Sequence, residues 1–282
     1  MHPILFSIPN PHGAPLVFHS YTVMFALAFL VGTLLPVWQN FKRSEPFPVT
    51  TMGGVWVFFG ALIGSKTYWW LQYGEWADLK WGMFLLNSGL VFYGGLIGGV
   101  LGGIAYVRWC RAQLGQVADL VMPYVALAHA LGRFGCFLNG CCWGAVTKLP
   151  WGVTYPVTGW GAYHEQVMDG LIKKGTKCPL PVHPTQMYEA VGCMVIFILL
   201  RFIYKKGTPT GLIVGLYMLF YGMLRFTTEF FRGDSAHPAL GLTVSQLVAF
   251  GLMAGGLVVL VWLQFRSKRC EIPADDRPMS TE

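Results

Sequence analysis

Polar and apolar positions along this chain segregate on the length scale of a bilayer crossing, not on that of one helix face. Apolar stretches run near 17–38, 50–72, 84–108, 117–138, 186–204, 211–231 and 243–265. A hydrocarbon core of about 30 Å takes about 20 helical residues to cross, so each stretch is long enough to span. The pattern predicts an all-α polytopic membrane protein with about seven transmembrane helices. The fourth stretch is interrupted by Asp119, Pro123, His129 and Arg133, which a helix facing the interior of a bundle tolerates. The segment from Cys142 to Val182 is too polar and too rich in Pro and Gly to span, and reads as a small extracytoplasmic cap. Residues 1–268 are thus expected to form one transmembrane helical domain that includes the cap, followed by a cytoplasmic tail over 269–282. No period of the kind that marks repeat proteins recurs.

Composition strengthens this picture. Charged residues are 12% and AVILMFWYC residues 54%, with a mean hydropathy of +0.51, which leaves too few charges to cover a water-soluble domain. The 35 glycines sit inside apolar runs without a triplet period, as in membrane helices. The net charge of +7 invites a nucleic-acid reading, but ten of the twenty Lys and Arg fall in four short clusters after spans one, three, five and seven. These are Lys42 and Arg43; Arg108 and Arg111; Arg201, Lys205 and Lys206; Arg266, Lys268 and Arg269. Basic residues collect on the cytoplasmic side, so the N-terminus is expected outside and the C-terminus inside, and no nucleic-acid partner is expected. The first residues, MHPILFSIPNPHG, carry no Lys or Arg and so lack the basic start of a cleavable signal peptide; they are expected to stay on the mature chain.

Candidate chemistry lies in the polar residues that the membrane would reject. Arg133, Arg225 and Lys66 lie about 24, 21 and 24 Å from the cytoplasmic starts of their spans at 1.5 Å per residue, which puts all three in the outer half. Tyr21 and Tyr93 enter from outside to about 6 and 14 Å by the same rise. A cationic, tyrosine-lined site beneath the outer surface follows if these faces converge. Lys66 is equally consistent with snorkelling to the interface, and Tyr21 with the aromatic belt. On span six, Tyr221, Arg225, Glu229 and Arg232 fall at i, i+4, i+8 and i+11 and make one polar stripe on an apolar helix. Arg225 and Glu229 there are either a structural pair or part of a substrate site. Of the seven cysteines, Cys136, Cys141 and Cys142 cluster, with His129 nearby. They are soft metal ligands by type, but their spacing is not that of a paired CxxC site. Small polarisable side chains at a tight helix end are the favoured explanation, and no metal is expected.

At this point the residues resemble a family. HALGRFGCFLNGCCWG (129–144) is similar to the Gly-Arg signature of the prolipoprotein diacylglyceryl transferases. FHSYTVMFALAFLVG (18–32) looks like the family's His-x-Tyr first span, and FYGGLIGG (92–99) like its third-span glycine motif. PVHPTQMYEA (181–190) resembles the family's His-Pro-Ser/Thr-Gln-x-Tyr-Glu run, and LFYGMLRFTTEFFRGD (219–234) its Tyr-Gly-x-x-Arg to Glu-Phe-Phe-Arg helix. Three positions depart from the pattern. Tyr93 stands where many members have His, Cys141 where many have Glu, and Cys136 where an Asn follows Gly-Arg-x-Gly.

The resemblance implies a bacterial inner-membrane enzyme that moves diacylglyceryl from phosphatidylglycerol to the lipobox cysteine of a prelipoprotein signal peptide, forming a thioether and releasing glycerol phosphate. It implies catalytic roles for Arg133, Arg225, Tyr93 and Glu229, and contacts to substrate from Arg133, Tyr21, Asn139, Tyr221, Arg232 and Lys66. Membrane lipids are the other expected partners, and no cofactor is implied. Tyr93, without a histidine's basicity, is expected to orient the lipid. Two other classes fit the same residues: a lipid-binding or lipid-moving membrane protein that has lost transfer, and a metal or redox protein built on Cys136, Cys141, Cys142 and His129.

Overall fold

A computed structural model describes residues 4–9, 15–43, 46–73, 91–157, 161–204, 208–233 and 242–270. Each of the seven apolar stretches contains one long helix: α1 (Ser20–Phe41), α2 (Met52–Tyr73), α3 (Phe92–Trp109), α4 (Leu114–Asn139), α6 (Thr185–Tyr204), α7 (Leu212–Glu229) and α8 (Val244–Cys270). A short helix, α5 (Ala162–Met168), lies in the expected cap. The first part of the third stretch, 84–90, together with Lys205, Lys206 and the tail from 271, lies outside the described residues. Four helices, α1, α4, α6 and α8 as far as Arg266, are long and apolar enough by composition to cross a membrane. The chain is an all-α multi-pass membrane protein.

One element goes beyond the expected helices. Strands β1 (Ile4–Ile8) and β2 (Leu16–His19) pair antiparallel, with Phe6 opposite Phe18 and the two rings stacked at 4.6 Å.

Two compact units emerge, one of Met1–Phe29 with Met122–Glu282 and one of Leu30–Val121. In the second unit α2 packs on α3 through glycine faces. A Cβ on Gly60 would run into the carbonyl oxygen of Gly98, and one on Gly98 into that of Gly60. Where lipid is as apolar as the side chains, helices associate by such close backbone approach. The α1–α2 turn is fixed by Asn40, fully buried, whose Nδ2 donates to the Phe47 carbonyl at 2.9 Å while its Oδ1 accepts from the Phe47 N–H at 2.9 Å. The Tyr106 hydroxyl accepts from the N–H of Thr50 at 3.0 Å, so the polar start of α2 is satisfied by α3.

In the first unit Ala126 of α4, Ile196 and Leu200 of α6 and Ile213 of α7 make the apolar core. The opposite face of α6 carries Val191, Val195, Ile198 and Phe202, all exposed. An outward row of large apolar side chains at helical spacing is the arrangement expected where the solvent is lipid. The cap packs around Tyr155, Ala162 and Val182. It ties three helix ends together through the backbone. Gly144 N–H donates to His183 O at 2.9 Å, His183 N–H to Ala145 O at 2.9 Å, and Ala145 N–H to Phe231 O at 2.8 Å. The end of α4, the start of α6 and the end of α7 are thereby held as neighbours, and these three ends carry the charged residues of the site.

Candidate active site

Three arginines and two glutamates form a continuous chain of ion pairs in the first unit. Arg133 Nε on α4 meets Glu189 Oε2 on α6 at 2.7 Å. The other oxygen, Glu189 Oε1, lies 3.4 Å from Arg225 Nη1 on α7. Arg225 Nη2 reaches Glu229 Oε2 at 2.8 Å, one turn on, and Arg232 Nε lies 3.9 Å from the same oxygen. Both carboxylates are 3% exposed, whereas the guanidiniums are 13 to 18% exposed. The acids are therefore the inner layer and the arginines the more exposed one. Buried carboxylates persist only if paired and hydrogen-bonded.

The polar chain is anchored from α8 as well. Thr243 Oγ1 donates to Glu229 Oε1 at 2.8 Å, and Arg225 Nη2 donates to Ser245 Oγ at 2.8 Å. Thr243 and Gln246 form a reciprocal cap: Gln246 N–H donates to Thr243 Oγ1 at 3.1 Å and Thr243 N–H to Gln246 Oε1 at 3.0 Å. This Thr-x-x-Gln box satisfies two amide donors at the start of α8 and leaves the Thr243 hydroxyl proton for Glu229.

Three guanidiniums against two carboxylates leave one surplus positive charge. Arg133 is held through one nitrogen. Its Nε is taken by Glu189, while its two Nη groups have no hydrogen-bond or ion-pair partner among the described residues. A guanidinium held by Nε with a free Nη pair is oriented to accept a second anion, and phosphate oxygens match that geometry.

Around Arg133 the expected residues fall as follows. Tyr221 on α7 stacks against Tyr217 at 5.7 Å and meets the His129 ring on α4 at 4.8 Å, while Arg225 and Glu229 of the same stripe turn to Glu189 on α6 and to Thr243 at the start of α8. Tyr21 lies within electrostatic range of Arg133 and of Cys136, Cys141 and Cys142, and its helix crosses α4 at Gly135, where a Cβ would press on Met24. Asn139, exposed at the end of α4, has its side chain against Cys141. Tyr93, in the first turn of α3, and Lys66, on α2, belong to the other unit. Within that unit Tyr93 is 39% exposed beside Phe92, and Lys66 is buried.

Two residues gain a place that the sequence reading gave them no role for. Glu189 sits in the PVHPTQMYEA run and is the acid that joins Arg133 to Arg225. It is also the only acidic residue in α6, and a lone carboxylate within an apolar span is the signal that marks it. Gln186, one turn earlier and 1% exposed, donates through Nε2 to the Cys141 carbonyl at 2.6 Å and to the Tyr155 hydroxyl at 2.8 Å. Burial pushes the Tyr155 phenol up to about 12, so it stays a neutral hydrogen-bonding group. His129 does not join the cysteines. It packs on Tyr221, while Cys136, Cys141 and Cys142 group by themselves.

A family model described as prolipoprotein diacylglyceryl transferase matches residues 3–262. The chain is 30% identical to the phosphatidylglycerol–prolipoprotein diacylglyceryl transferase of Proteus mirabilis (strain HI4320), over 94% of this chain and 93% of the relative. It is 30% identical to the protein of that name from Pseudoalteromonas atlantica, covering 95% and 91%, and to that from Pasteurella multocida, covering 96% and 95%. With a match along nearly its whole length, and with charged residues of three of its helices joined in one buried network, the chain belongs to the prolipoprotein diacylglyceryl transferase family.

Proposed function

We propose that this chain transfers the diacylglyceryl group of phosphatidylglycerol to the cysteine thiol of a prolipoprotein, the reaction named for its relatives. The acceptor is the lipobox cysteine of the signal peptide. The thiol sulfur bonds to the glycerol carbon of the diacylglyceryl part, the carbon–oxygen bond to phosphate breaks, glycerol phosphate leaves with the electron pair, and the thiol proton is released. Displacement at carbon needs no acyl-enzyme, and the chain has no G-x-S-x-G elbow.

The observation that carries this reading is the surplus guanidinium charge with the uncommitted Nη pair of Arg133. Charge grows on the phosphate as the bond breaks, and fixed donors in a site of low dielectric stabilise it. Arg225 and Arg232 add positive potential beside it, which also favours the attacking thiolate. Glu189 and Glu229 hold the guanidiniums in place, so Glu229 acts as a positioning residue. Tyr21, Tyr221 and Asn139 line the approach to Arg133. The site lies at the extracytoplasmic end of the helices, in the bacterial inner membrane, with the N-terminus outside and the C-terminus in the cytoplasm.

The test is to incubate purified protein with phosphatidylglycerol and a peptide containing a lipobox cysteine, and to weigh the peptide. A mass gain of one diacylglyceryl group on the cysteine is the expected result. Lipid binding without any gain in peptide mass would turn the reading to a lipid-binding protein.

A further inference from the structure

The three sulfur atoms of Cys136, Cys141 and Cys142 all lie within 4.8 Å of one another, and all three are free thiols. The chain makes a specific turn to bring them together. After α4 ends, Gly140 N–H donates to Cys136 O at 3.0 Å and Cys141 N–H to the same oxygen at 3.2 Å. Gly140 takes φ 78° and Cys142 takes φ 61°. The left-handed region is natural for Gly140 and is rare for a side chain such as that of Cys142. This reversal folds Cys141 and Cys142 back over Cys136, which is why linear spacing did not suggest a ligand set.

We propose that Cys136, Cys141 and Cys142 form a three-thiolate site for a zinc-class divalent cation, with its fourth position open to the thiol of the acceptor peptide. Tetrahedral zinc thiolates have Zn–S bonds of about 2.3 Å and therefore sulfurs about 3.8 Å apart, a spacing this cluster reaches with small side-chain rotations. Three protein ligands and one open position is the arrangement of zinc sites that act on a substrate, as opposed to closed structural sites.

The surroundings suit it. Cys142 lies in the field of both Arg133 and Arg232, which offsets the negative charge of three thiolates. The ligand backbone is held by protein on the other side: Thr185 Oγ1 donates to Cys142 O at 2.9 Å and Gln186 Nε2 to Cys141 O at 2.6 Å. Bonds of this kind fix the orientation of metal ligands.

This inference rests on the proposed function and supplies what that reading lacks, a means of deprotonating the acceptor where Tyr93 replaces a histidine. A thiol that coordinates such a cation loses its proton outright. The proton goes to water, the bound thiolate attacks the glycerol carbon, and glycerol phosphate leaves toward Arg133. No electron transfer is involved.

The test uses Cd²⁺ as a spectroscopic probe on the full-length protein in detergent, reduced and freed of metal. One equivalent should bind and give a thiolate-to-cadmium charge-transfer band. A lipobox peptide should raise that band by about one third, because a fourth thiolate joins three, and the same peptide with Ser in place of Cys should leave it unchanged. Cys136→Ser and Cys142→Ser should each weaken binding, and Cys178→Ser, in the cap, should not. The inference is overturned if reduced wild-type protein binds no Cd²⁺ at these thiols, if the peptide leaves the band unchanged, or if protein isolated without reductant carries a disulfide between two of the three. Peptide modification by protein stripped of metal would overturn the inference while leaving the proposed function intact. Metal and peptide binding as described, with no transfer by the zinc-loaded protein, would instead count against the proposed function.

Discussion

Glu189 divides its two oxygens between two arginines from different helices, and the rest of the site depends on that division. With Oε2 on Arg133 at 2.7 Å and Oε1 toward Arg225 at 3.4 Å, its removal leaves two half-buried guanidiniums repelling each other. Breaking such a pair costs about 3 to 5 kcal/mol, so Glu189→Ala should lower the thermal midpoint strongly as well as activity. Glu189→Gln keeps the shape and removes the charge, and should retain more stability than Glu189→Ala in thermal unfolding in detergent. Equal stability of the two variants would show that the shape and hydrogen bonds kept by Gln contribute nothing beyond the lost charge. Arg225→Ala should damage turnover more than Glu229→Gln, because one faces the substrate and the other holds it. If exchanging the pair, Arg225→Glu with Glu229→Arg, restores wild-type rates, the two are only a structural couple. At this scale the sequence was partly legible. The stripe on α7 shows because its residues recur at helical spacing, and the structure pairs them as that spacing requires. Glu189 shows only as a lone acid in an apolar helix, without a periodicity to name its partners, which come from elsewhere in the chain.

Helix positions were the most legible feature, because a bilayer crossing demands an apolar run of fixed length. Each of the seven runs holds one long helix. What the runs do not encode is pairing. The hairpin Ile4–Ile8 with Leu16–His19 lacks the usual alternation, since Ile4, Leu5 and Phe6 are all about half exposed and neither face is marked as inner. The grouping of the three cysteines likewise depends on one backbone reversal. Contacts between helices do give predictions. Because Gly60 lies against the backbone of Gly98, Gly60→Leu should force α2 from α3 and cost about 1 to 3 kcal/mol, as overpacking does. An unchanged thermal midpoint would mean that the two helices are not closely joined. At the start of α8, Thr243→Val removes both the cap and the hydroxyl on Glu229. A lost cap costs about 1 kcal/mol, so a modest fall in stability should accompany a larger fall in transfer, measured on the same preparation.

For the molecule as a whole, charge distribution predicts orientation. By the tendency of basic residues to stay inside, the basic clusters after the first, third, fifth and seventh apolar stretches predict that one set of loops is cytoplasmic. A reporter inserted at the Gly170 turn of the cap should report outside, and one fused after Gln264 inside. A cytoplasmic signal from Gly170 would overturn both the orientation and the placing of the arginines near the outer surface. In the proposed reaction Arg133 clamps the leaving phosphate with the two Nη groups its ion pair leaves uncommitted. A snorkelling or purely structural cation would be replaced by Lys with little loss, because only charge would matter. A clamp would not, since one ammonium cannot reproduce two parallel N–H bonds. The decisive measurement is transfer of diacylglyceryl to a lipobox peptide by Arg133→Lys, folded and inserted like wild type, in vesicles containing phosphatidylglycerol. A phosphate clamp requires a loss of about 100-fold or more, the scale of removing a donor from a charge-stabilising site; near-wild-type transfer by that variant would mean that Arg133 is no clamp.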